Sequence, residues 1–207
     1  MEVGHAISLW DTVRRHCYIA GKIKKSVYPL GFDGGIFRRN IRGVSMGRPG
    51  YQIHSTAVRR FGFLLLRDFT MMAFSAAVEP LRTANRAAET ELYQFPLFTL
   101  DGQPGQASNG LIVSPVRQLT GKEPLDALFV CAGADLHSVN PESLLEKLKP
   151  FIKRGVAIGG ICTASYQLAR AGILDGYRCT LHWENIPDMH DEFPHLVLLQ
   201  QFFLILS

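Results

Sequence analysis

Cys162 is the side chain in this sequence whose type and setting together suggest chemistry. It stands in Val156-Ala157-Ile158-Gly159-Gly160-Ile161-Cys162-Thr163-Ala164-Ser165-Tyr166-Gln167-Leu168-Ala169. A short apolar, partly β-branched run there gives way after two glycines to Ala/Leu-rich helical spacing. That pattern reads as strand, sharp turn, helix. A residue at such a turn is lifted to the carboxyl edge of a sheet and faces the first unpaired N–H groups of the next helix. Those groups and the helix dipole favour negative charge, so Gly160, Ile161, Cys162 and Thr163 make a corner suited to a thiolate or to a ligand carboxylate. The plainer alternative is a buried cysteine acting as a small hydrophobe.

Two further residues follow at a distance. His182 lies 20 residues after Cys162, followed by Trp183. A cysteine–histidine pair is a strong nucleophile only when a third group orients the imidazole. Trp183 and Tyr166 offer ring faces to an ammonium group, an attraction worth roughly 0.5–2 kcal/mol each. Core packing is the competing role for both. His137, His190 and His195 read as surface residues. The four cysteines, Cys17, Cys131, Cys162 and Cys179, show no CxxC pair and no His/Cys cluster at zinc spacing. No metal site, cofactor or disulfide framework is expected, and a reducing cytoplasm is the natural compartment.

These residues need a scaffold, and the sequence supplies one from Arg60 onward. Phe61 to Leu66 is a continuous apolar run suited to a fully covered parallel strand. Asp68 and Thr70 offer N-cap oxygens for a helix reaching about Ala88, within which Pro80 predicts a kink or a second helix start. Tyr93 to Leu100, Leu111 to Val113 and Ala127 to Cys131 read as strands. Pro141 to Arg154 reads as a helix with Asn140 as its N-cap and a basic carboxyl end. After the 156–160 strand and the helix behind Cys162, Cys179 to Trp183 is a further strand, Asn185 to Glu192 a short helix, and Leu196 to Leu199 the start of a last strand. Strands alternating with helices predict an α/β fold with a mainly parallel sheet flanked by helices, a flavodoxin-like three-layer sandwich that binds ligands beyond the carboxyl ends of its strands.

Charge divides the chain in two. Residues 1–60 hold 11 Lys/Arg against 3 Asp/Glu, a net of +8, whereas residues 61–207 carry a net of −4, giving the overall +4. Residues 1–59 read as a basic leader, disordered or non-native with a true start near Met46, since glycines interrupt every periodic stretch. Residues 60–207 read as one domain. Its acidic body offers no basic patch for DNA. The apolar tail from Leu196 to Ser207 is too short to cross a bilayer.

Separated blocks carry a resemblance, in order along the chain. Phe61 to Leu66, Ala77-Val78-Glu79-Pro80-Leu81-Arg82-Thr83-Ala84-Asn85, Leu100-Asp101-Gly102, Gly160-Ile161-Cys162-Thr163-Ala164-Ser165, Leu168-Ala169-Arg170-Ala171-Gly172-Ile173-Leu174-Asp175-Gly176 and Thr180-Leu181-His182-Trp183-Glu184 resemble the amino-terminal sensor domain of GlxA-type AraC-family transcription regulators. That domain is similar to the class I glutamine amidotransferase-like and PfpI-like superfamily. The resemblance extends to the branch that senses glycine betaine, carnitine and related amino acid derivatives. It implies a small-molecule ligand of that class, a homodimer, and a nucleophile elbow at Cys162. Two departures bear on function. The acidic residue of the superfamily's enzymes falls at about Ala73, which favours binding over catalysis. The helix-turn-helix part of the regulators lies beyond Ser207, so the chain is expected to be a truncated sensor. The alternative is a cysteine-dependent hydrolase, hydratase or deglycase using Cys162 and His182.

Overall fold

The computed structural model describes residues 17–18, 58–181 and 185–198. Its main sheet begins with the short strand β1 (Cys17–Tyr18), which pairs antiparallel with a later strand. Then follow β2 (Arg59–Leu65), helix α1 (Met71–Ala88), β3 (Tyr93–Gln94), β4 (Leu97–Thr99), the hairpin pair β5 (Gly105–Gln106) and β6 (Ile112–Val113), and β7 (Arg117–Gln118). The second half holds β8 (Ala127–Cys131), α2 (Pro141–Lys153), β9 (Ala157–Ile161), α3 (Ala164–Arg170), β10 (Arg178–Cys179), α4 (Ile186–Glu192) and β11 (Val197–Leu198). The sheet runs β1-β9-β8-β2-β4-β7 with β3 also on β2, and every pair but β1–β9 is parallel. The α/β expectation with a mainly parallel sheet is met.

Strand alternation builds the layers. Phe63 and Leu65 face one side of β2 and join Phe69, Ala73, Phe74, Ala77 and Leu81 beneath α1. Leu64 and Leu66 face the other and join Leu128, Val130, Leu144, Leu148, Phe151, Tyr166 and Leu168 beneath α2 and α3. A strand buried on both faces has to be apolar throughout, which is why Phe61 to Leu66 is an unbroken run. Starting from β2, the chain pairs first outward to β4, then crosses to β8 and β9 on the other side. The reversal of strand order between β2 and β8 is where an open α/β sheet leaves a crevice at its carboxyl edge.

Several elements match their sequence signals closely. Asn140 caps α2 through a hydrogen bond from Ser143 N to its Oδ1 at 3.0 Å, with Pro141 in the first turn. Other elements differ. Of the two outcomes expected at Pro80, a second helix start does not occur: α1 is one helix across it, with Ala77, Pro80 and Leu81 all buried. Packing on both sides of the proline outweighs the missing N–H. The expected strand Tyr93 to Leu100 is split into β3 and β4 around Pro96, which has no N–H for the ladder, while its carbonyl accepts from Phe63 N at 3.0 Å. Thr70 occupies the N-cap position of α1, yet its side chain makes no capping bond. Residues 17–18 pair with β9 inside the basic leader, where the sequence shows no periodic segment. Among the described residues, no helix is long and apolar enough to cross a membrane.

Candidate functional site

Three loops meet at the carboxyl edge of the sheet, those following β2, β8 and β9. The last is a single tight turn between β9 and α3, and Cys162 sits in it with φ of 61°. A left-handed backbone costs a non-glycine residue roughly 1–2 kcal/mol, so the surroundings have to hold it there. Gly160 stands in close quarters just before the turn: a Cβ there would lie 3.1 Å from Ser165 N and 3.3 Å from Ser165 Oγ. The loop after β8 contributes Gly133, where a Cβ would fall 1.8 Å from the carbonyl oxygen of Asp68 in the loop after β2. Only glycine lets those two loops touch.

Side chains fasten the three loops together. The Thr70 hydroxyl stands 3.4 Å from the Cys162 sulfur, and Thr70 N donates to Ala132 O at 3.1 Å. The hydroxyl that looked like a helix cap therefore serves Cys162 instead. Thr163 Oγ1 donates to the Gly133 carbonyl. Gln167 Nε2 donates to Leu136 O at 2.8 Å and Arg170 Nη1 to Leu136 O at 3.3 Å. Thr163, Gln167 and Arg170 share one face of α3 by helical spacing, and together they bind it to the loop after β8.

Ala73, the position at which the resemblance expects an acid, lies in the first turn of α1 and belongs to the buried cluster against which Cys162 packs. Glu79 is exposed, two turns along α1, and pairs with Arg82 at 2.7 Å. Gly160, Ile161, Cys162 and Thr163 follow one another from the end of β9 through the turn into α3. His182 and Trp183 lie outside the described residues.

Tyr166 is buried in the core, and its hydroxyl donates to Glu192 Oε1 at 2.5 Å. Burial, then the Glu192 carboxylate beside it, push its phenol up to about 12. His137 meets the tyrosine ring edge-on at 5.9 Å between centroids, and Phe193 at 5.8 Å. Beside this cluster opens a cavity of about 320 Å³ lined by Leu136, His137, Tyr166, Asp188, Asp191 and Glu192. His137, His190 and His195 are exposed, as expected, and His195 bonds to Asp175 at 3.1 Å. Thr70, Gly133 and Glu192 are absent from the sequence-based site: no local spacing ties position 70 to 162, or 166 to 192. Among the described residues, no group of three or more His, Cys, Asp or Glu is arranged to hold a metal.

The DJ-1/PfpI family matches residues 63–196, which include all three loops and Cys162. The chain belongs to the DJ-1/PfpI family. Several of its relatives are HTH-type transcriptional regulators. The HTH-type transcriptional regulator CdhR of Pseudomonas aeruginosa is 44% identical over 146 residues, 70% of this chain and 43% of CdhR. The HTH-type transcriptional regulator GlxA of Rhizobium meliloti is 37% identical over 143 residues, 69% of this chain and 44% of GlxA. The chain thus spans less than half the length of these relatives. An AraC family transcriptional regulator from Pseudomonas putida shares the fold with a TM-score of 0.62 and 31% identity, over 69% of this chain and 77% of that one. The DJ-1/PfpI assignment agrees with the resemblance read from the sequence blocks.

Proposed function

We propose that this DJ-1/PfpI domain is the small-molecule-sensing part of an AraC-type transcription regulator, and that it binds a zwitterionic amino acid derivative, of the glycine betaine or carnitine kind, without turning it over. One observation carries the reading: the partner of the Cys162 sulfur is the neutral hydroxyl of Thr70, while Ala73 fills the buried position from which an acid would act. A threonine hydroxyl can fix a thiol and offer a hydrogen bond to a ligand; alanine can neither orient an imidazole nor share a proton. The ligand class is supported by the two poles of the region. Gly160, Ile161, Cys162 and Thr163 form the corner for a carboxylate. One helical turn along α3, Tyr166 borders the cavity whose Asp188, Asp191 and Glu192 suit a cation. His182 and Trp183 belong to the same proposal as ligand contacts, and a homodimer is proposed on the resemblance. DNA reading is assigned to a helix-turn-helix part outside the folded body.

A ligand that binds only the folded state raises its melting temperature by mass action. Glycine betaine, carnitine and a panel of amino acids should include at least one that does so in a concentration-dependent way, with the shift reduced in Asp188→Asn/Asp191→Asn. If no quaternary amine or amino acid moves the melting temperature, the ligand class is wrong. The second reading, a hydrolase, hydratase or deglycase working through Cys162 and His182, is favoured by the left-handed turn at Cys162. Turnover of dicarbonyls, isocyanides or amides that disappears in Cys162→Ala would replace the sensor by the enzyme.

A further inference from the structure

The strand that ends in the Cys162 turn is covered on its outer side by two residues. Among the described residues, β1 (Cys17–Tyr18) is the only strand beyond β9, and without it β9 would be a sheet edge. β9 is not built as an edge. Ile158, Gly159, Gly160 and Ile161 are all buried, and the strand carries neither the charged residues nor the prolines that protect exposed edges. Ladder geometry identifies the groups that β1 serves. Successive residues of a strand turn their N–H and C=O to opposite neighbours. Ile161 O accepts from Ala132 N at 3.4 Å, so Ile161 is turned toward β8. Gly160 is then turned outward, and Tyr18 stands directly opposite it in the antiparallel pair. Two residues so placed exchange both N–H···O bonds, which pairs a buried peptide that would otherwise be costly to leave unmade.

This pairing is weaker than the ladder on the other side of β9. Two residue pairs hold β1, against five between β8 and β9, and residues 19–58 lie between β1 and β2. Little pairing is set against the closure of a long loop, so β1 opens more readily than the sheet. We propose that Cys17–Tyr18 is a releasable strap: it adds a strand to β9, holds the Gly160 peptide and so fixes the Cys162 turn two residues on, and the turn loosens when the strap leaves. The device acts through backbone pairing, and it is independent of which ligand or reaction the corner serves.

The test is amide hydrogen exchange of the full chain, followed by NMR. In the wild type, the Gly160 amide should exchange faster than Ile161, whose amide faces β8, yet well below the rate of an unstructured chain. Tyr18→Pro removes the N–H that Tyr18 gives to the pair. In that variant Gly160 and residues 162–164 should exchange roughly tenfold faster, with β2 and β8 unchanged. Tyr18→Val keeps the N–H and should exchange as the wild type does. The proposal fails if Tyr18→Pro leaves Gly160 unaltered, or if Gly160 accelerates while residues 162–164 do not. It fails also if the whole sheet accelerates together, since β1 would then support the fold rather than strap one strand. Should Tyr18→Pro not fold, the wild type decides: a Gly160 amide that exchanges at the Ile161 rate, or with no protection, overturns the strap.

Discussion

At the scale of single residues, the site is built from backbone that most side chains avoid. Cys162 holds φ of 61°, Asp68 holds φ of 56°, and Gly133 has no room for a Cβ. These residues come from different loops, so no spacing in the sequence joins them. What was legible was the β9–Cys162–α3 segment, because its strand, glycines and helix are contiguous. Thr70 was legible only as a helix cap, and its bond to Cys162 depends on a contact across 92 positions. The strain at Cys162 has a measurable consequence. Glycine tolerates the left-handed region and alanine does not, so Cys162→Gly should be about 1 kcal/mol more stable than Cys162→Ala, reversing the usual order. Urea midpoints of the two variants at equal m-value give the difference. Equal midpoints, or alanine the more stable, would show that the turn stores no strain.

At the scale of elements, α3 and α4 are short, and neither is stable by helical propensity alone. The first is bound to the loop after β8 by Thr163, Gln167 and Arg170. The second depends on Met189, buried in the core, and on the hydrogen bond from Tyr166 to Glu192. The sequence showed where both helices lie, the first from Ala/Leu-rich spacing that ends at Ala171-Gly172 and the second over Asn185 to Glu192, but it could not show that α4 docks on α3, because nothing local encodes the pairing of 166 with 192. Tyr166→Phe removes that bond while keeping the ring and its contacts with His137 and Phe193. Glu192 is exposed and regains water, so the expected loss is about 1 kcal/mol. Amide exchange should report it locally, with residues 186–192 exchanging faster and β8 and β9 unchanged. A uniform increase across the sheet would mean instead that Tyr166 supports the core as a whole.

At the scale of the whole molecule, the two-faced burial of the sheet makes the fold readable: continuous apolar runs at β2, β8 and β9 are required of central parallel strands, and each stands where the sequence placed it. The break at Pro96 and the unbroken run of α1 across Pro80 were harder to read: the first comes from a missing ladder N–H inside an otherwise strand-like run, the second from packing on both sides of the proline. The same burial makes the fold sensitive to alkali. Cys179, at the end of β10, is 1% exposed, and burial pushes its thiol up to about 11 from an ordinary value of 9.0. The folded state therefore favours the neutral thiol more than the unfolded chain does. Its contribution is complete below pH 9, falls as pH climbs from there, and is gone above about 11, amounting to roughly 2–3 kcal/mol in all. Tyr166 adds loss in the same direction between its ordinary 10.0 and about 12. Urea unfolding of the wild type and of Cys179→Ala, at about pH 8 and about pH 10.5, separates the two contributions. The wild type should lose stability over that interval by a larger amount than the variant, because the variant has no thiol to ionise. Parallel losses in both proteins would mean that Cys179 ionises as readily in the fold as outside it, and that β10 and β11 open to solvent before the sheet does.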